Sequence, residues 1–512
     1  MFIMKKSITT ALFSFLLFCA QAQNNKYQPP YFTDVNRIEK IKSTQAVVDR
    51  IYKDYAEKNH FPGFVYGIVA DGKLIYSGSA GYTDINNKIP VTTSSDFRIA
   101  SMTKSFTALA ILKLRDEGKI KLDDPAYKYI PEMKNIKYLT SDAPVITVRH
   151  LMTHSAGFPE DNPWGDRQLA DTDKELLDVV KKVSFSNVPA VAYEYSNLGF
   201  ALQGKIITNV TGKPYDQYIT QNILKPLGMA STYWEYTKVP ANKLAHGYRW
   251  INSTWREEEL LHHGSYGAMG GLITTMEDFS KYVALHLSAW PPSNTKESPV
   301  IKRSSLREMH HPWRFSGLNT QYRYPNGRLC PIATAYAYGL GWSRDCEGRI
   351  RVGHSGGLPG FGSQWSMLPD YDIAVIVFAN VTYAPTTFVN VQVLDTLITL
   401  AQLQPRQLPP SQILQQRKNE LMKLLPDWSG AEKSRIFSEN FFPDNPVDSL
   451  RKEARTLFDR MGKMVRVGEM MPQNQLRGSF VIEGEKTNTE VFFTLTPENP
   501  PLIQEYHIRE VG

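Results

Sequence analysis

The sequence predicts an α+β protein in three layers: an antiparallel sheet flanked by helices, a helical insert between its early and late strands, and a small α+β module at the end of the chain. Three observations predict it. β-rich runs flank Asp71-Gly72 and return between Gly339 and Ala379, while helical patterns and turns fill the stretch between. A proline-rich break, Pro405-Arg406-Gln407-Leu408-Pro409-Pro410, then sets off a tail with helices and alternating runs of its own. Hydrophobic residues make up 42% of the chain and charged ones 21%, which suits a packed core and excludes general disorder.

In chain order, residues 1–22 read as a secretory signal. Lys5 and Lys6 give a basic start, Ala11 to Cys19 is a short apolar run, and Ala20-Gln21-Ala22 supplies small residues for cleavage. A lipid anchor on Cys19 competes with this reading, and the bulk of Phe18 disfavours it. The protein is therefore expected to be exported to the periplasm, with domains at 23–404 and 413–512 and no membrane span. Apolar residues spaced three and four apart predict a helix over Ile38–Lys58, and Asp71-Gly72 marks a hairpin. Helices are expected from Ser101 to about Gly118 and over Leu198–Val210, where Ser196 or Asn197 suits an N-cap. Another is expected after Thr274-Thr275, where hydroxyls precede acids. Strands follow at Arg349–Gly353, Gly362–Leu368 and Ile373–Ala379. The tail shows helical stretches at 413–425 and 446–462, then alternating runs at 477–482, 490–495 and 502–508.

Charge and cysteine usage narrow the function. The net charge of +7 falls to +5 once Lys5 and Lys6 leave with the signal, and no Lys/Arg cluster suggests nucleic-acid binding. Cys330 and Cys346 remain after removal of Cys19, and in an exported protein they are expected to form a disulfide, the alternative being two free thiols. No metal is expected: two lone cysteines lack the paired spacing of a zinc site, and no Glu-x-x-His spacing follows His262-His263. Asp123-Asp124 before Pro125 reads as a turn, and so does His154.

Three blocks carry chemistry. In Ser101-Met102-Thr103-Lys104, hydroxyl and amine stand one helical turn apart, so Lys104 can serve Ser101, a weak nucleophile without a base. The helix start beneath Ser101 offers backbone N–H groups and a favourable dipole for an oxyanion. Tyr195-Ser196-Asn197 provides a phenol able to act as acid or base, and an amide able to bond a substrate. In His354-Ser355-Gly356-Gly357, glycines let a substrate lie against a strand edge, and the Gly357 N–H is expected to be the second oxyanion donor. Pocket walls are expected from loops at 155–170 and 310–335.

In order and separation, 94 residues from Ser101 to Tyr195 and 159 from there to His354, the blocks resemble those of the penicillin-recognising serine hydrolases. The branch grouping class C β-lactamases, DD-peptidases and related esterases is the most similar, with its Ser-x-x-Lys, Tyr-x-Asn and Lys/His-x-Gly motifs. Leu122-Asp-Asp-Pro125, Leu151 to Phe158, Gly270 to Asp278 and Tyr338 to Trp342 agree as well, so that the resemblance spans roughly residues 40 to 400. It implies a β-lactamase/transpeptidase-like fold and a cofactor-free acyl-enzyme mechanism. Ser101, Lys104 and Tyr195 would be catalytic, with Asn197, His354, Gly356 and Gly357 serving substrate and oxyanion. The implied substrate is a small molecule or peptide, such as a peptidoglycan peptide or an ester. True class C β-lactamases usually carry lysine where His354 stands, which favours a DD-peptidase or esterase over a β-lactamase. A binding or sensory protein that turns nothing over is the alternative from another class.

Overall fold

The computed structural model describes residues 27–512, so the expected signal at 1–22 and Cys19 lie outside the described residues. The chain divides into two compact units, Pro30–Gln407 and one that takes in Leu408–Gly512. Among the described residues no helix is long and apolar enough to cross a membrane.

Nine antiparallel strands form the sheet of the first unit. Their spatial order is Ile89–Pro90, Lys73–Asp84, Gly63–Ala70, Ile373–Ala379, Phe361–Leu368, Ile350–Leu358, Gly341–Asp345, Ile332–Tyr336, Arg314–Asn319. The early hairpin is thus zipped onto the last strand, in a register that sets Phe64 opposite Ala379 and Ala70 opposite Ile373. Gly63–Ala70 and Ile373–Ala379 are buried along their whole length, because layers cover both faces. Alternation divides their side chains between two cores. Val65, Val69, Ile376 and Phe378 join the helical insert through Met276 and Phe279. Phe64, Tyr66, Val375 and Val377 pack on Val48, Tyr52, Val389 and Leu397 of the helices on the other face.

The helix expected over Ile38–Lys58 is two, Arg37–Ser43 and Gln45–Lys58. The break falls at Thr44, whose hydroxyl bonds the Ile41 carbonyl and the Tyr76 phenol instead of pointing to solvent. The helix after Ser101 begins at Thr103 and runs to Asp116, behind a 3-10 turn at Ala100–Met102. It is buried nearly all round, the signature of a central helix between sheet and insert. Asn197–Thr211 is a helix capped by the Ser196 hydroxyl and ended by left-handed Gly212. Cys330 and Cys346 are joined in a disulfide.

The second unit has its own core. Strands Met464–Val467, Arg477–Gly484, Asn488–Leu495 and Ile503–Val511 pair in that order, and Met471–Asn474 also pairs on Arg477–Gly484. Leu450, Ala454 and Met461 of the Val447–Met461 helix and Leu414 and Leu421 of the Gln412–Met422 helix share a cluster with Phe480, Val491, Phe493 and Trp428.

Candidate active site

Ser101 sits at the end of a stiff approach. Ala100 holds φ +48°, a left-handed conformation that costs a non-glycine residue about 1–2 kcal/mol and recurs where structure is over-determined around a site. Ser363 clamps the turn by donating from its hydroxyl to the Ile99 carbonyl at 2.8 Å. The turn thereby presents Ser101, 7% exposed, at the junction of the sheet and the helical insert.

Lys104 lies one turn on and is fully buried. Its Nζ is 2.9 Å from Ser101 Oγ, 2.7 Å from Asn197 Oδ1 and 2.9 Å from the Met269 carbonyl. The Asn197 amide orientation follows from its Nδ2, which donates to Asn162 Oδ1. As an ammonium, Lys104 spends three N–H groups on three oxygens. As a neutral amine it keeps two for Asn197 and Met269, which can only accept, and its lone pair faces the Ser101 hydroxyl. Burial pushes the lysine down to about 7, with the charges of Asp166 and Asp161 opposing the shift.

Tyr195 comes from the opposite wall. Its side chain stands beside Ser101, and Lys104 Nζ lies 4.9 Å from its ring centroid. Burial holds the phenol well above its usual range even though the Ser101 contact favours the phenolate, so Tyr195 rests protonated. Its ring packs on His154, centroids 4.2 Å apart. His154 is a turn residue at φ +52° whose Nδ1 accepts from the Ser196 N–H at 3.0 Å. That bond anchors the Tyr195-Ser196-Asn197 segment.

The Ile350–Leu358 strand forms the third side. The ladder with Gly341–Asp345 ends at Gly353, which leaves the His354–Leu358 edge unpaired on that side. A Cβ on Gly356 would stand 2.2 Å from the Ile99 carbonyl oxygen and 3.0 Å from Ala100 Cβ, so only glycine lets the strand approach the serine turn this closely. Gly357 lies under Tyr383, whose Cδ1 would be 2.8 Å from an added Cβ. The His354 ring donates from Nδ1 to the Ser355 carbonyl, which fixes its tautomer, and Nε2 accepts from Tyr336 Oη at 2.8 Å. Burial and the nearby Lys104 charge push it down to about 3. His354 is therefore neutral, with both nitrogens engaged inside the protein.

Several neighbours carry no motif. Asp161 accepts from the Asn197 N–H at 2.6 Å and the Leu198 N–H at 2.8 Å, holding the helix start that aims Asn197. Asp166, 2% exposed, accepts from the Tyr383 hydroxyl at 3.1 Å. Both lie in the 155–170 loop, where only general wall-forming was expected. A cavity of about 350 Å³ adjoins Tyr195, His354 and Ser355 and extends to Ser316 and Thr334, within the other loop expected to shape the pocket. A cavity of about 730 Å³ lies against Asp161, Ser196 and Leu198, and neither Ser101 nor Lys104 lines it. Away from the site, His262 pairs with Glu235, Asp123 with Arg149, and Asp124 with Lys128, all at the surface.

Antiparallel sheet, helical insert and a serine–lysine pair at their junction together define the β-lactamase/transpeptidase class of fold. The Beta-lactamase family model matches residues 48–397, and the chain belongs to that family. It is 30% identical over 347 residues to Protein flp of Staphylococcus aureus (strain N315), which takes in 67% of this chain and 64% of that protein. The chain thus spans less than two thirds of the length of that relative. Beta-lactamase-like protein 2 of Dictyostelium discoideum is 32% identical over 256 residues, 48% of this chain and 46% of its own length. The octameric penicillin-binding protein homologue from Pyrococcus abyssi shares the fold with a TM-score of 0.59 at 21% identity, over 91% of this chain and 96% of that one. A penicillin-binding protein from Bacillus halodurans does so at 0.53 and 22% identity, over 68% and 98%.

Proposed function

We propose that this chain is an exported serine hydrolase that works through an acyl-enzyme on amide or ester substrates, as a DD-peptidase, a D-amino-acid-peptide hydrolase or an esterase. One observation carries the reading. Lys104 Nζ lies 2.9 Å from Ser101 Oγ while two obligate acceptors occupy its other positions, so a neutral Lys104 has its lone pair directed at the proton it must take.

Ser101 Oγ attacks the substrate carbonyl as Lys104 accepts its proton. The oxyanion forms between the Ser101 and Gly357 N–H groups. Tyr195, held as a phenol by burial, protonates the departing amine or alkoxide and regains a proton from Lys104. Water then attacks the acyl carbonyl by the reverse route, its proton passing to the Tyr195/Lys104 pair, and Ser101 leaves reprotonated. Asn197 bonds Lys104 through Oδ1 and so positions the base. A neutral His354 offers no fixed charge to a substrate carboxylate, which sets this chain apart from a lysine-bearing β-lactamase.

Ser101→Ala is expected to abolish covalent labelling by a fluorescent penicillin or a fluorophosphonate, and unchanged labelling would remove Ser101 as nucleophile. Activity profiling on D-Ala-D-Ala peptides, D-aminoacyl amides, nitrocefin and p-nitrophenyl esters then separates peptidase, β-lactamase and esterase, and turnover of none of them identifies a silent binding protein.

A further inference from the structure

Two buried carboxylates, Asp166 and Asp161, act by their charge on Lys104, and the structure treats them differently. Asp161 has both oxygens bonded by backbone N–H groups at a helix start, so its charge is met where it stands. Asp166 is as deeply placed but has one bond, from the Tyr383 phenol to Oδ2, while its Oδ1 is buried without a partner. Desolvating a carboxylate this way is costly unless a nearby charge compensates. Of the charges around it Lys104 favours the ionised form most, while Asp161 and Glu160 push the other way. The placement is not incidental. Gly165, next in sequence, lies against Asn197, whose Cβ would be 2.8 Å from an added Cβ, and Asn197 holds Lys104. Tyr383, at φ +52°, lies over Gly357 on the other side. Asp166 therefore braces the base on one side and the strand carrying the second oxyanion donor on the other.

We propose that Asp166 is a positioning residue whose buried carboxylate is the counter-charge of Lys104 and sets the pH at which the Ser101–Lys104 pair becomes competent. The proposal rests on the reading of Lys104 as the base for Ser101. Every element packed around Lys104 contributes to its balance. The 158–167 segment presents Asp161 and Asp166, the segment before the Asn197–Thr211 helix presents Tyr195, the turn at 153–155 presents His154, and the Ile350–Leu358 strand presents His354. The two histidines are neutral across the working range, since burial pushes both down, and Tyr195 is protonated. Burial pushes Asp161 up as well, against its two backbone N–H bonds and the Lys104 charge. Lys104, pushed down to about 7, and Asp166, pushed up to about 6 by burial, titrate together across the neutral range.

The sign follows. Negative charge at Asp166 stabilises the ammonium form, so removing it lowers the pH at which Lys104 becomes a free base. The second-order rate of Ser101 labelling by a fluorophosphonate, measured from pH 5 to 9 on the full chain, should rise through a limb near neutrality in the wild type. In Asp166→Asn the limb should move down by about one pH unit, and in Asp166→Glu it should stay near the wild-type position. Tyr383→Phe, which withdraws one bond from Asp166 at a hydroxyl bonded to neither Ser101 nor Lys104, should move it in the same direction by less. If Asp166→Asn does not fold, the Tyr383→Phe shift decides alone. A uniform loss at every pH with an unmoved limb would mean that Asp166 merely packs, and overturns the proposal. A wild-type rate without any limb would instead remove Lys104 as the titrating base, and the underlying reading with it.

Discussion

Gly356→Ala gives a sharp steric test of the site, because the closest neighbours of the new methyl are not free to move. Its carbon would lie 2.2 Å from the Ile99 carbonyl oxygen, 2.4 Å from Ser363 Oγ and 3.0 Å from Ala100 Cβ. Ordinary contact needs more than 3 Å, so strand and serine turn must part by about 1 Å, and overpacking of this kind costs about 1–3 kcal/mol. The Ile99 carbonyl is backbone, already held by Ser363, and the next residue is left-handed Ala100, so relief must displace the Ser101 turn itself. A displacement of about 1 Å at a nucleophile is worth about 100-fold in rate. The expected result is a fluorophosphonate labelling rate down by about two orders of magnitude with a melting temperature lowered by only a few degrees. A labelling rate within threefold of wild type, in a variant that melts normally, would refute the idea that close approach of this strand positions Ser101.

Two further tests address other parts of the unit. His354→Leu should lower labelling about tenfold through loss of the acceptor for the buried Tyr336 hydroxyl, at about 1–3 kcal/mol. It should leave the ratio of rates on anionic and neutral esters unchanged; a selective loss on anionic esters would show that the ring carries charge. Reduction of Cys330–Cys346, which are 16 residues apart in the chain, should cost about 3 kcal/mol, read as a lower melting temperature with reductant that a Cys330→Ala/Cys346→Ala double variant does not show. An equal melting temperature with and without reductant would show that the bridge adds nothing to stability.

What the sequence made legible follows from the range of each signal. The Asp71-Gly72 hairpin and the late strands stood out because a turn residue pair and uninterrupted apolar runs are local, and both sheet faces are covered. The Ser101–Lys104 contact was legible for the same reason, since helical spacing alone brings the two together. That Tyr195 meets them across 94 residues was accessible only through the family resemblance. Nothing in the sequence marks the left-handed Ala100, because alanine does not favour that conformation. The tail strands Met464–Val467 and Met471–Asn474 went unseen because they are largely exposed and carry no alternating pattern. Asp161 and Asp166 were hidden in a polar loop without periodicity, where a carboxylate that caps a helix and one that faces a lysine look the same.

Hydrogen-bond accounting separates those two carboxylates where sequence cannot. Asp161 is fully paired with backbone N–H groups, so its removal uncaps a helix and releases Asn197: a loss of architecture. Asp166 has one hydrogen bond and a buried oxygen without a partner, and the cation that most favours its ionised form is Lys104. A dry cleft makes Lys104 easy to deprotonate, and an unmet carboxylate beside it restrains that tendency. Were Asp166 uncharged, Lys104 would lose its proton at a lower pH. Were neither bonded, the helix that aims Asn197 would lose its start. Asp161 at the helix start and Asp166 beside Tyr383 meet these two demands with the same chemical group.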